Sequence, residues 1–237
     1  MSDLAVEYRD VSVTGRLDRV SLTIRRGDRV AYLGRSGAGK TTALKLINGL
    51  VKPSAGAIAV DGSPLDAQDL VALRRRVGYV MQHPALFPHR TVFDNVATVP
   101  RLVGWDETQT RAKAEELMGQ LEMPLEKFGA RFPRQLSGGE QQRVAIARAM
   151  IVAPRLLLCD EPFSALDPII RSELQSLLIA ATRDTTLVFV THDVREALRI
   201  AGRIIVFDAG RVIADTTPTA LDQHEHPVVR RFVASSA

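Results

Sequence analysis

The sequence predicts an α/β protein with a mostly parallel sheet that is interrupted by a helical segment. Short apolar runs typical of strands occur up to residue 82 and again from residue 155, where helical segments separate them. From about 83 to 152 such runs are absent, and proline-containing loops alternate with helical patterns such as residues 106–122. We therefore expect a single domain over 1–237, with a core of about 1–82 and 153–237 and an inserted helical lobe of about 83–152.

The individual strands are predicted from apolar periodicity and turn signals. Val20, Leu22 and Ile24 alternate with polar residues, as in a strand with one buried face. The segment 56–65 combines a strand with the turn signal Asp61-Gly62. Further strands are predicted within residues 29–33, 76–82, 155–161, 186–193 and 203–208.

Composition narrows the class of protein without identifying it. Lys and Arg number 31 against 27 Asp and Glu, a mild excess of +4 that is better explained by a solvated surface than by an acidic partner or a membrane surface. The one cysteine, Cys159, follows an apolar run and is expected to be buried. The N-terminus lacks the apolar segment of a signal peptide, and no stretch approaches the ~20 apolar residues that span a bilayer.

A phosphate-binding loop is predicted at Gly34–Thr42, "GRSGAGKTT", which fits the pattern G-x-x-x-x-G-K-[ST] in full. The segment follows a predicted strand and precedes a predicted helix, as the pattern requires. Lys40 is expected to reach the β- and γ-phosphates, and the Thr41 hydroxyl is expected to bind Mg²⁺. This motif indicates a nucleoside triphosphate but does not distinguish a kinase, a GTPase or a motor.

Polar side chains are expected where three other strands end. Asp160 and Glu161 follow a buried strand, where Asp160 is suited to Mg²⁺ and Glu161 to polarising water; the alternative is an acidic pair that caps the next helix. His192 could contact the γ-phosphate and the water, or be a structural or simply exposed histidine. Gln82 could respond to Mg²⁺ and the γ-phosphate, although nothing else in the sequence supports this.

A second helix start is predicted in "LSGGEQQRVAIARA", residues 136–149. Ser137 and Glu140 have the spacing of a capping box, and an apolar stripe follows. Gly138 and Gly139 would lie in the first turn, where each costs about 0.5–1 kcal/mol relative to alanine. We interpret them as clearing side chains from the backbone donors, so that these and Ser137 can meet a phosphate.

The order of these motifs over nearly the whole chain resembles the ATP-binding subunit of an ABC transporter. The resemblance implies an ATPase with a RecA-like P-loop core, N-terminal antiparallel strands and an inserted α-helical subdomain. It implies an ATP site formed by Gly34, Arg35, Ser36, Gly37, Ala38, Gly39, Lys40, Thr41 and Thr42. It assigns Glu161, His192 and Gln82 to catalysis, Thr41, Gln82 and Asp160 to Mg²⁺, Asp167 to the D-loop, and Ser137, Gly138, Gly139 and Gln141 to the signature.

The same resemblance implies partners and a location. It implies a head-to-tail homodimer in which the signature of one subunit closes over the ATP held by the other, two transmembrane permease subunits, and a periplasmic or extracellular solute-binding protein. The expected location is peripheral, on the cytoplasmic face of the inner membrane. No nucleic-acid partner is expected, because soluble ABC ATPases of that class typically have coiled-coil insertions or two ATPase halves.

Residues 83–105 are similar to the ATPases of bacterial importers for osmoprotectants such as glycine betaine and choline. Phe87, Phe93 and Trp105 in this stretch are predicted either to form the core of the lobe or to line a groove for a helix of a membrane subunit. Other small-solute importers, such as amino-acid systems, remain the alternative.

Two departures from the family pattern affect these expectations. The aromatic residue that usually stacks on adenine before the second strand is missing: Val13 or Thr14 stands there, and Tyr8 lies too early. The sequence also stops at Ala237, so we expect neither a C-terminal regulatory CBS tail nor sensing of ionic strength through one.

Overall fold

The computed structural model describes residues 3–234, which divide into two compact units. The first unit comprises the described chain up to Arg74 together with the chain from Thr185 onward. The second unit is Arg75–Asp184. Each unit has strands and helices of its own.

The first unit contains two sheets and the helices that flank them. Its strands are β1 (Leu4–Val13), β2 (Leu17–Arg25), β3 (Arg29–Leu33), β4 (Ala55–Val60), β5 (Ser63–Pro64), β8 (Thr186–Thr191), β9 (Arg203–Asp208) and β10 (Arg211–Thr216). Its helices are α1 (Lys40–Ile47), α2 (Leu70–Arg76, which runs into the second unit), α9 (Val194–Ile200), α10 (Pro218–Leu221) and α11 (Pro227–Ala234).

The N-terminal sheet is antiparallel, as expected, with strand order β2-β1-β4-β5. Val20, Leu22 and Ile24 on β2 are all buried, which confirms the predicted alternation. Asp61 and Gly62 between β4 and β5 have φ of 54° and 79°. Two consecutive positive φ values are what a tight hairpin turn of this kind requires, so the turn signal is confirmed.

The second sheet of this unit is mostly parallel. Strand β3 lies between β8 and β9 and runs parallel to both, and β10 pairs antiparallel with β9 at the edge. Residues Val30–Leu33 have no exposed surface, as expected for a strand that is covered on both faces. Leu33, the last residue of β3, pairs with Thr191 on β8 and Val206 on β9, so the carboxyl ends of these strands lie side by side.

The second unit contains a parallel strand pair and most of the helices. Its strands are β6 (Val77–Val80) and β7 (Leu156–Asp160), and its helices are α3 (Val92–Val96), α4 (Thr98–Leu102), α5 (Glu107–Gln120), α6 (Leu125–Phe128), α7 (Gly138–Met150) and α8 (Pro168–Ala181). Every residue from 83 to 152 is described, and this stretch contains helices and loops without a strand, as its sequence predicts.

Several elements were not predicted individually from the sequence, among them α2 and β10. Helix α2 has only seven residues and buries only Leu73, which is too little for an apolar stripe. Strand β10 lies at the sheet edge and buries only Ala214, so its sequence shows no strong alternation.

Candidate functional site

The loop after β3 is shaped by glycines that no other residue could replace without strain. Gly34 has φ of 152°, and a Cβ there would collide with the carbonyl oxygen of Phe207. Gly39 has φ of 102°, and its Cβ would lie 2.7 Å from Leu17 Cδ2. By contrast, Gly37 has φ of 81° and faces open space. The loop is therefore anchored at both ends and open at its crest, where Arg35, Ser36 and Gly37 are exposed.

Helix α1 begins without the side-chain cap that helices usually have. Its N-cap residue is Gly39, which makes no side-chain cap hydrogen bond, and the first turn contains no acidic residue. Lys40 is only 4% exposed, and its ammonium donates to the carbonyl oxygens of Gly34 and Arg35 at 2.7 and 2.8 Å. Backbone donors at a helix start, together with a buried lysine, form a site suited to a phosphate chain.

His192 lies beside this loop within the same unit. Leu33 and Thr191 are paired residues on adjacent parallel strands, so the residues that follow them, Gly34 and His192, leave the sheet at the same edge. His192 is exposed, whereas Thr191 before it is buried. The position of this histidine next to a phosphate-type loop follows from the strand order, which the sequence alone does not provide.

Tyr8 is not available to stack on a nucleotide base. Its side chain is 2% exposed, and its hydroxyl donates to the carbonyl oxygen of Ala43 at 2.8 Å. Burial raises its pKa well above the usual value, so the phenol stays neutral. Tyr8 therefore belongs to the core, and the β1–β2 turn itself consists of Thr14, Gly15 and Arg16, none of which is aromatic.

In the second unit, polar side chains meet at the carboxyl ends of β6 and β7. Asp160 ends β7 and is 8% exposed, and Glu161 follows it with φ of 45°. Gln82 Nε2 donates to Glu161 Oε2 and to Ser164 Oγ, both at 3.4 Å. Positive φ is uncommon for a non-glycine residue, and it turns the Glu161 side chain away from the direction that the strand would give it.

Sequence reasoning missed Tyr79 as a neighbour of this carboxylate pair. Tyr79 pairs with Leu158 across the parallel strands β6 and β7, so it shares a face with Asp160, two residues further along. Burial, followed by the nearby Asp160 carboxylate, raises the pKa of Tyr79. Cys159 is fully buried, as predicted, and burial raises the pKa of its thiol.

The capping box at the start of α7 is confirmed. Ser137 Oγ accepts from the Glu140 amide at 3.3 Å, and the Ser137 amide donates to Glu140 Oε2 at 2.7 Å. The apolar stripe after it is buried at Val144, Ala147 and Ile151. Asp167 is exposed and caps α8 by accepting from the Ile169 and Ile170 amides, both at 3.1 Å.

The two glycines of α7 have different surroundings. Gly138 is exposed, and a Cβ on it would meet nothing within 4 Å. Gly139 is buried, and a Cβ on it would lie 2.6 Å from Ile170 Cγ2, in the first turn of α8. Gly138 thus leaves the surface of the helix start bare, whereas Gly139 allows α7 to pack closely on the helix that follows Asp167.

This difference gives a matched pair of variants. Gly139→Ala is expected to lower the free energy of unfolding by about 1–3 kcal/mol, because the new methyl group overpacks the contact with Ile170. Gly138→Ala is expected to be neutral or stabilising by up to about 1 kcal/mol, because alanine favours the helix and has room. Urea denaturation of both variants tests this, and Ile170→Ala should rescue Gly139→Ala. Equal effects of the two alanines would contradict the packing role of Gly139.

Helix α7 also binds the segment that follows Gln82. Arg148 donates to the carbonyl oxygens of Pro84 and Ala85, both at 2.8 Å, and burial lowers the pKa of its guanidinium. Nearer the start of α7, Arg143 donates to Glu122 at 2.7 Å and to Glu173 on α8 at 3.0 Å. One helix therefore holds the loop after Gln82, the helix after Asp167 and the Ser137–Gly138 surface in fixed relation.

The three aromatic residues of 83–105 are not equivalent. Phe93 is buried, and the Arg111 guanidinium lies 4.5 Å from its ring centroid, so it belongs to the core of the lobe. Phe87 is 39% exposed, and Trp105 is half-buried. Further large apolar side chains exposed in this unit are Met81, Leu102, Val103 and Ile169.

The described part of the chain contains neither a membrane-spanning helix nor a cluster of metal-binding side chains. Over residues 3–234, no helix combines the length and apolar character needed to cross a membrane. In the same range, no group of three or more His, Cys, Asp or Glu side chains could hold a metal ion. The predicted Mg²⁺ ligands do not form such a group, because only one of them, Asp160, is of these four types.

The family assignment follows from the sequence as a whole. The sequence model of the ABC transporter family matches residues 17–164, which is more than half of the 237 residues. The chain belongs to the ABC transporter family. The matched range of this ABC protein begins in β2, includes the loop after β3 and the capped start of α7, and ends just after Glu161.

Curated relatives of this ABC protein are subunits of bacterial importers. The choline transport ATP-binding protein OpuBA of Bacillus subtilis is 45% identical over 204 residues, which are 85% of this chain and 53% of that protein. The glycine betaine uptake system ATP-binding protein YehX of Escherichia coli is 41% identical, with coverage of 92% and 71%. The sulfate/thiosulfate import ATP-binding protein CysA of Bradyrhizobium diazoefficiens is 43% identical, with coverage of 93% and 65%.

Solved structures of ABC cassettes share the fold. A dimeric post-hydrolysis state of an ATP-binding cassette bound to ADP and Pi has a TM-score of 0.81 at 33% identity, with coverage of 90% of this chain and 98% of that one. The protein cbiO1 of Clostridium perfringens has a TM-score of 0.85 at 28% identity, with coverage of 97% and 94%. This ABC protein spans about half the length of several of the curated relatives that it matches.

Proposed function

We propose that this chain is the ATP-hydrolysing subunit of an ABC importer. The observation that supports this most strongly is the start of α1: an uncapped helix N-terminus with a buried lysine, beside the strand end that presents His192. ATP would lie with its β- and γ-phosphates against the backbone of Gly34–Thr42. Lys40 would then exchange the carbonyl oxygens of Gly34 and Arg35 for phosphate oxygens.

Hydrolysis needs a base for water and donors for the developing charge. Glu161 accepts a proton from the attacking water, and His192 donates to the γ-phosphate. In this structure the Gln82 amide donates to the Glu161 carboxylate and to the Ser164 hydroxyl. Gln82 would free the Glu161 carboxylate by turning to the γ-phosphate. Cleavage leaves ADP and phosphate with like charges side by side, and their repulsion favours opening of the site.

The donor set suits Mg²⁺, because the Thr41 hydroxyl, the Asp160 carboxylate and the Gln82 amide all present hard oxygen ligands. Asp160 is 8% exposed, and a buried carboxylate favours a cationic partner. When bound, Mg²⁺ supplies neutralisation of the negative charge on the β- and γ-phosphates.

We further propose a head-to-tail homodimer. Ser137, Gly138, Gly139 and Gln141 of one subunit would close over ATP held by Lys40 of the other. The bare surface at Gly138 supports this, and so does the dimeric state of the cassette bound to ADP and Pi. Asp167, at the start of α8, would follow the same motion because Ile170 packs on Gly139.

The partners in the membrane would be two permease subunits, with a solute-binding protein on the outer side. A short helix of each permease would dock on the lobe of about 83–152, where Phe87, Leu102 and Val103 are exposed. Arg148, which binds the backbone of Pro84 and Ala85, would transmit movement of the docked permease helix to α7. The subunit would then be peripheral, on the cytoplasmic face of the inner membrane.

The cargo we propose is a quaternary amine such as glycine betaine or choline. The similarity to OpuBA and YehX supports this. The similar identity to CysA, a sulfate/thiosulfate import protein, favours a second candidate, another small solute. The cargo would be chosen by the solute-binding protein. Co-purifying the permease and its binding protein and measuring the ligand by calorimetry decides between them, and binding of sulfate alone would overturn the quaternary-amine proposal.

The activity is tested on the purified chain with ATP and Mg²⁺. We expect release of phosphate and ADP, no phosphorylated small-molecule product, and no stimulation by DNA or RNA. Strong preference for GTP, or a phosphorylated product, would indicate a P-loop GTPase or kinase instead. Stimulation by nucleic acid would indicate a soluble ABC ATPase outside transport.

A further inference from the structure

The start of helix α9 holds a buried carboxylate that none of the predicted roles uses. Glu196 is 5% exposed, although it lies in the first turn of a helix that begins two residues after the exposed His192. Buried carboxylates are uncommon unless they are hydrogen-bonded or paired. Glu196 Oε2 accepts a hydrogen bond of 2.6 Å from the hydroxyl of Thr191, the last residue of β8.

The same hydroxyl also holds the backbone on the far side of His192. Thr191 Oγ1 accepts from the amide of Asp193 at 3.0 Å, while it donates to Glu196. Asp193 in turn caps α9 by accepting from the Arg195 and Glu196 amides, at 2.8 and 3.4 Å. His192 thus stands between two residues that are both tied to the first turn of α9.

The preceding side of His192 is held by the sheet. Thr191 is 2% exposed and pairs with Leu33, the residue before the phosphate-type loop. The distance from this loop to the histidine backbone is therefore set by the β3–β8 ladder and by the Thr191 hydroxyl. Without that hydroxyl, the Asp193 amide and the Glu196 carboxylate would each lose a hydrogen bond.

We propose that Glu196 is a positioning residue that acts through the Thr191 hydroxyl to hold His192 toward the γ-phosphate. This inference rests on the proposed function, because it assumes that His192 meets the phosphate. Glu196 itself does not touch substrate. Its carboxylate orients the hydroxyl proton of Thr191, so that the lone pairs of that oxygen face the Asp193 amide and fix the turn.

The test replaces Thr191, because valine keeps the branched shape of threonine and lacks its hydroxyl. Thr191→Val removes only the hydroxyl and is expected to lower kcat for ATP about tenfold, while KM and ATP binding stay within about twofold. Thr191→Ser restores the hydroxyl and should recover kcat. Glu196→Gln keeps an acceptor oxygen and should lose less than Glu196→Ala.

The decisive comparison is made in a His192→Ala background. If Thr191 acts through the histidine, Thr191→Val lowers kcat no further there. A further tenfold loss in that background, or failure of Thr191→Ser to recover kcat, would overturn the positioning role. If His192→Ala alone leaves kcat unchanged, the role of His192 in the proposed function fails instead. If His192→Ala is inactive but Thr191→Val behaves as wild type, only the inference about Glu196 fails.

Discussion

Glu161→Gln is expected to bind ATP normally and to lose at least about 100-fold of its turnover. The amide has the size of the carboxylate and can still accept from Gln82 Nε2, which lies 3.4 Å from Glu161 Oε2 in this structure. It cannot accept a proton from water. ATP that is bound but not cleaved should hold two subunits together, so the variant should become a dimer with ATP.

Three measurements check this expectation: steady-state phosphate release, equilibrium binding of ATP, and mass by light scattering with and without ATP. Glu115→Gln is the matched control, because Glu115 is an exposed glutamate on α5 of the same unit. The control should hydrolyse ATP as the wild type does. Near wild-type turnover in Glu161→Gln would show that Glu161 is not the base.

Ser137→Arg is the second variant with a large expected effect: it should lose about 100-fold of ATPase activity while its own Lys40 loop still binds ATP. Arginine places a long side chain on the exposed start of α7, where its bulk would keep the bare Gly138 surface from meeting a phosphate. It also removes the cap, which costs only about 1 kcal/mol of stability. Loss of activity with retained ATP binding would indicate that Ser137 closes over the ATP of the partner subunit and is not only the N-cap of α7.

Glu140→Ala is the control for this variant. It breaks the 2.7 Å bond from the Ser137 amide but adds nothing to the surface. It should therefore lose stability similar to that lost by Ser137→Arg, yet keep most of its activity. Equal loss of activity in both variants would mean that Ser137 acts only as a cap.

Mixing variants tests whether the signature acts on the partner's ATP. Ser137→Arg and Lys40→Ala should each be inactive alone. In a mixed dimer, one site would combine an intact Lys40 with an intact Ser137, so about one quarter of wild-type activity should return at equal amounts. No recovery, with mixed dimers shown to form, would contradict action across the dimer.

How much of the site was predictable depended on how local each feature is. The loop at Gly34–Thr42 and the box formed by Ser137 and Glu140 each lie within ten residues, and short-range geometry sets their hydrogen bonds. Both could therefore be predicted from spacing alone. The burial of Tyr8 could not, because it depends on the Ala43 carbonyl, 35 residues away.

The sequence by itself determined the class of fold, the phosphate loop, the capped helix and the order of motifs that indicates an ABC ATPase, because periodicity and local hydrogen bonding need no distant partner. Only the tertiary structure decided which strand ends are neighbours, and so placed His192 beside Gly34. It also distinguished the two signature glycines, because Ile170 packs against Gly139 and leaves Gly138 uncovered. Contacts of this kind join residues far apart in the chain, and packing alone sets them.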